Sequence, residues 1–274
     1  MICPNCQAEN DSFASTCHAC GAPLEQAGRA ASPEAVKAVT TTGLVLGKKA
    51  RELRLNTPVD PHALISARAY NGTIAVVLLW GLLVNYLLCR YAVSFAMNLN
   101  PIVLLVGYLV LAFGGTIISA KSHNPGISFL GYNMVVVPFG LVISLLVEAY
   151  GGIDSSVATY AFLYTLLIAV GMMGLVMIAP QFFEKIGGAL LGALIGAIVC
   201  ETVMLIFFRG NQAANNIINW AVAGIFSLYI GYDIYRSQQY PMTLDNAVDS
   251  ALDIYLDIAN LFIRILEITG KKDD

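Results

Sequence analysis

Two aspartates set inside apolar sequence carry the chemistry most open to reading. Asp233 stands in FSLYIGYDIYR and Asp257 in ALDIYLDIANLF. An ionised side chain within a bilayer is costly and marks a functional site by default. Two carboxyls brought together in low dielectric do not both ionise cheaply, so the pair is expected to share one proton. Protonated, such a pair holds a hydrogen bond and closes a gap. Deprotonated, it repels itself and offers oxygen ligands to a hard cation such as Ca²⁺. Upstream, Asp245, Asp249 and Asp253 precede Asp257 at four-residue spacing, forming one acidic stripe on a helix. Asp253 and Asp249 are the weaker cation-site candidates. Asp245 and Asp249 are expected to be solvated near the membrane surface.

Four of the six cysteines crowd the first twenty residues: Cys3 and Cys6 in CPNC, Cys17 and Cys20 in CHAC. Two C-x-x-C turns converging on one point make a tetrahedral thiolate site for structural Zn²⁺. A segment this short lacks a core, so the metal would supply its folding energy. All four positions are then filled by protein, which leaves no open coordination site for catalysis. Cys89 and Cys200 lie near the ends of apolar runs and are expected to act as small apolar residues. His18 is expected to be a solvated turn residue.

The elements that must position these groups follow from composition. Hydrophobic residues make up 57% of the 274 and charged residues 12%, against about 25% in soluble domains. Mean hydropathy is +0.70. The pattern predicts residues 1–24 as a zinc ribbon, 25–67 as a flexible linker with a basic juxtamembrane segment, and 68–270 as a membrane domain. Seven spans are expected at roughly 69–88, 101–120, 127–148, 156–179, 186–208, 217–235 and 247–268. The fold class is thus an all-α seven-span bundle with a small zinc ribbon at its head. No signal peptide opens the chain, so the first span is expected to target it.

Lys48, Lys49, Arg51, Arg54 and Arg68 before the first span, with Lys121, Lys185 and Arg236 in later loops, favour a cytoplasmic N-terminus. Pro138 is expected to kink the third span. Gly188, Gly192 and Gly196 are expected to let a second backbone approach the fifth. Glu148 and Glu201 lie near the outer ends of the third and fifth spans. No broad basic face exists, which excludes a nucleic-acid partner. A prokaryotic cell membrane is the expected location and the lipid bilayer the first partner.

The segments SLYIGYD and YLDIANLFIRIL, with 24 residues between Asp233 and Asp257, resemble the signature of the Bax inhibitor-1 family. The resemblance covers about residues 68–268. It implies a last helix surrounded by six others and a pH-sensitive Ca²⁺ leak, with Asp233 and Asp257 as sensor and gate. It also implies an arginine at the end of the second span that pairs with the dyad in the closed state. Here GGTIISAKSHN carries only Lys121 and His123, so Lys121 is the candidate substitute, although an ammonium is not a guanidinium fork. The CPNC…CHACG stretch is similar to zinc ribbons at the start of many prokaryotic membrane proteins.

An intramembrane aspartyl protease would need Gly-x-Gly-Asp and Pro-Ala-Leu stretches, and neither occurs. No catalytic residue is assigned and the chain is not expected to be an enzyme. The alternative to a leak is a regulator that binds a membrane protease or other membrane complex through residues 1–24.

Overall fold

The structure is a computed structural model describing residues 61–207 and 212–270, with residues 8, 19, 20 and 59. The chain divides into two units, Met1–His62 and Ala63–Asp274. In the first, Ala19 and Cys20 form an exposed turn. Cys3, Cys6 and Cys17, and with them the expected zinc site and most of the linker, lie outside the described residues.

Among the described residues the regular structure of the second unit is helical, apart from one isolated bridge between Leu64 and Thr243. Seven long helices follow one another: α1 (Ala67–Asn98), α2 (Pro101–Lys121), α3 (Pro125–Ala149), α4 (Ser156–Ile178), α5 (Pro180–Phe207), α6 (Gln212–Ser237) and α7 (Leu244–Gly270). A π-helical turn at Leu88–Ala92 interrupts α1. By length and composition α1 to α6 are able to cross a membrane. α7 is not in that class, because its 27 residues carry four aspartates, Arg264 and Glu267.

The helices start where the sequence supplies caps. Asn100 Oδ1 accepts from the Ile102 N–H at 2.9 Å, and Asn124 Oδ1 from Gly126 at 2.9 Å, each followed by a proline at the first helical position. Ser66 and Ser155 cap α1 and α4 in the same manner. Between α3 and α4 the chain reverses through Gly151 and Gly152, whose φ angles of 99° and 84° suit glycine. The expected kink at Pro138 does not end α3, which runs on through it to Ala149.

α7 is the core. It packs on α1, α3, α4 and α6, while α2 leans on α3 and α5 on α6. The three fully buried tyrosines keep their hydroxyls bonded. Tyr70 donates to the Ser237 carbonyl at 2.9 Å, Tyr132 to the Val77 carbonyl at 2.9 Å, and Tyr255 lies 2.8 Å from Asn85 Nδ2. Each would otherwise strand a polar group in an apolar interior. Gly81 makes the Tyr132 bond feasible, since a Cβ there would sit 2.1 Å from the hydroxyl.

Backbone approach occurs between α2 and α3 rather than along the α5 glycines. A Cβ on Gly115 would lie 2.5 Å from the Gly131 carbonyl oxygen, and one on Gly131 2.6 Å from that of Gly115. Gly188, Gly192 and Gly196 meet nothing within 4 Å, so the expected close crossing on α5 is not made within this chain. Gly115→Val should therefore destabilise the fold by about 1–3 kcal/mol through overpacking. Gly107→Val, in open space, should not. Thermal melts of the two variants in one detergent test the contrast; equal melting temperatures would count against the crossing.

Candidate aspartate–arginine site

The α6–α7 hairpin builds the site. α6 ends on Tyr232, Asp233 and Arg236, a short loop carries Tyr240, and α7 returns past Asp253 and Asp257. Asp233 and Asp257 are both buried, each 8% exposed. The two expected gate residues do meet: the Asp257 carboxyl stands against that of Asp233, with Asp253 and Arg236 as its further charged neighbours. Asp257 Oδ2 is buried and meets no N–H or O–H donor. Two carboxylates bring oxygens but no hydrogen, so the contact becomes a hydrogen bond only when one of them holds a proton.

Arg236 lies on the other flank. Its guanidinium is 3.3 Å from Asp233 Oδ1, three residues back on the same helix, and also pairs with Asp253 across the hairpin. The rings of Tyr232 and Tyr240 lie 5.8 Å and 5.7 Å from its central carbon, within cation–π range. A planar cation is thus clamped by two carboxylates and two aromatic rings, the geometry in which arginine outperforms lysine.

Lys121, the expected substitute for a latch arginine, is not among the charged neighbours of the dyad. It is exposed and, among the described residues, makes no ion pair. The reason is register: α2 meets α7 through Ser119, two residues earlier, whose hydroxyl bonds Asp249. Arg236 was legible as a helical Asp-x-x-Arg pair, but its position at a span end reads first as a topology charge.

The lower stripe is also placed differently from expectation. Asp245 and Asp249 are buried, at 8% and 3% exposure, not solvated. Ser128 of α3 donates to Asp245 at 2.5 Å, and Ser119 of α2 donates to Asp249. Hydrogen bonds to a carboxylate offset part of the cost of burying it. These contacts pin α2 and α3 to the start of α7. Among the described residues no three acidic, histidine or cysteine side chains converge as a ready metal site.

A second arginine sits at the opposite end of α7. Arg264 reaches Glu201 on α5 at 2.6 Å, Glu267 at 3.5 Å and Asn219 Oδ1 on α6 at 3.2 Å. Beside it, burial and the charge of Glu267 push the Tyr150 phenol above its ordinary range. Glu148 is exposed. Cys89 is buried, whereas Cys200 is exposed on α5.

A family profile described as "Inhibitor of apoptosis-promoting Bax1" matches residues 67–274. The chain is 39% identical to an uncharacterized protein of Helicobacter pylori over 86 residues, covering 31% of this chain and 36% of that one. It is 31% identical to an uncharacterized protein of Campylobacter jejuni over 163 residues, covering 58% and 60%. An uncharacterized membrane protein of Streptococcus pyogenes is 26% identical over 201 residues, covering 67% and 84%. The chain thus spans about a third of the length of the Helicobacter relative and three fifths of the Campylobacter one.

Removing the clamped guanidinium places two carboxylates near one another without the cation between them. Arg236→Gln should lower stability by about 3 kcal/mol, read as a fall in melting temperature. Adding Asp253→Asn should recover part of the loss. A second variant no better than the first would mean that the two side chains do not share an energetic interaction.

Proposed function

The chain belongs to the Bax inhibitor-1 family, and we propose that its membrane body is a pH-sensitive leak for Ca²⁺ gated at Asp233 and Asp257. The observation that carries this reading is the buried carboxyl pair, with Asp257 Oδ2 lacking a donor and Arg236 on the far side of Asp233. No structural glue needs two acids face to face in a bilayer; replacing such groups by apolar ones is often neutral or stabilising. Their retention in a membrane core points to proton or cation handling.

Arg236 sets the sign of the pH response. With one proton on the dyad, the pair carries a single negative charge, which faces Arg236 across Asp233. Acidification adds a second proton. The Asp233–Arg236 attraction is then lost, the guanidinium is released, and the α6–α7 hairpin loosens. The doubly protonated pair is itself a poor ligand, so the hydrated divalent cation is met by the carboxylate of Asp253, which the clamp had held. Asp253 and Asp249 line the approach on the same helix. On this reading Arg236, and not Lys121, is the cation of the closed state.

Purified full-length protein in liposomes loaded with a Ca²⁺ indicator tests this. Flux should rise as pH falls from 8 to 6 in the wild type. Arg236→Gln should leak at pH 8 already. The Asp233→Asn, Asp257→Asn double variant should lose its pH response. An unchanged pH profile in that variant removes the dyad as the sensor.

For the head, we propose that Cys3, Cys6, Cys17 and Cys20 bind one structural Zn²⁺ that supports docking to a membrane partner, not flux. Metal analysis of the purified protein should give close to one zinc per chain, and replacing the four cysteines by serine should leave Ca²⁺ flux intact. Loss of flux in that variant would overturn the separation of the two roles.

A further inference from the structure

α5 is attached to the bundle at two separated places. Near its start, the Phe183 ring fills the space over Gly231 of α6, where a Cβ would be 2.3 Å away, and Gly187 lies against the Tyr232 ring. Leu190 closes this patch at 4% exposure. Beyond it, from Leu191 to Cys200, every residue is exposed except the half-buried Leu194 and Ala197. Leu191, Ile195, Ile198 and Val199 face outward, and the glycines at 192 and 196 meet no neighbour. The second attachment is polar. Glu201 meets Arg264 of α7 at 2.6 Å, and Arg264 is steadied by Asn219 and Glu267.

We propose that α5 is a hinged gate that pivots on the Phe183–Gly187 patch and is latched at its far end by the Arg264–Glu201 ion pair. The stretch of about 11 residues from Leu190, the last of the patch, to Glu201 makes a lever about 16 Å long. A rotation of roughly 20° at the patch carries Glu201 about 5 Å, enough to part it from Arg264. Few apolar contacts resist the swing, because the stretch between hinge and latch buries little. Arg264 stands seven residues, or about 10 Å along the axis, beyond Asp257 on α7. The latch thus lies in series with the dyad, at the other end of the same helix. Its effect on flux rests on the leak proposed above; its movement does not.

Both ends use one design. An arginine bridges a carboxylate three residues away on its own helix to one on a neighbouring helix: Arg236 with Asp233 and Asp253, Arg264 with Glu267 and Glu201.

Hydrogen exchange measured by mass spectrometry on the full chain in lipid nanodiscs reads the hinge directly. Arg264→Gln should speed exchange in residues 191–207 by roughly 5–30-fold, leaving residues 180–190 and α6 protected. The Glu201→Arg, Arg264→Glu exchange of charges should restore protection. Unchanged rates in 191–207, or a uniform rise over all helices, would overturn the proposal. Ca²⁺ flux in the same preparations separates the two readings. Local release with faster flux supports the gate, whereas local release with no flux in wild type or variant keeps the hinge and sinks the leak.

Discussion

Every other arrangement in the membrane body answers one constraint: α7, the helix at the centre of an apolar bundle, carries four aspartates, an arginine and a glutamate. A charge there costs several kilocalories per mole unless neighbours compensate it. The neighbours do so group by group. Ser128 serves Asp245, Ser119 serves Asp249, Arg236 serves Asp253, and Arg264 is met by Glu201 and Glu267. The helices that supply these partners are the ones that must stay in register with α7. The Gly115–Gly131 crossing then has a clear purpose, because it holds Ser119 and Ser128 on adjacent helices at the height of two consecutive turns of α7.

Asp257 is the exception, and the exception is informative. Its Oδ2 is buried and meets no donor, and its nearest charge is another acid. Tyr255, two residues away, lies about 200° round the helix, and its hydroxyl is committed to Asn85. Two carboxyls so placed can share a hydrogen bond only when one of them carries a proton.

Much of this was open to sequence reasoning. The helix positions followed from apolar run length, with α2 and α4 within a residue of expectation, and the Asp233–Asp257 contact from the short α6–α7 connection. What escaped was side-chain direction. Lys121 and Ser119 differ by two positions on one helix, so about 200° of rotation separates them, and hydropathy cannot say which faces α7. The burial of Asp245 and Asp249 escaped for the same reason: their serine partners lie on helices more than a hundred residues away in sequence. The α5 glycines misled because small residues announce that approach is allowed, not that a neighbour is present.

The charge load of α7 has a consequence for biogenesis. A helix with aspartates at its centre gains little from entering lipid alone, since each costs about 2.5–3.5 kcal/mol on an insertion scale. Its solvent must instead be the cleft lined by α1, α3, α4 and α6, with serine hydroxyls and one guanidinium already in position. The first six helices therefore act as a template that is assembled before α7 settles, and a chain stalled after α6 would present a polar cleft open to lipid, a recognisable substrate for membrane quality control.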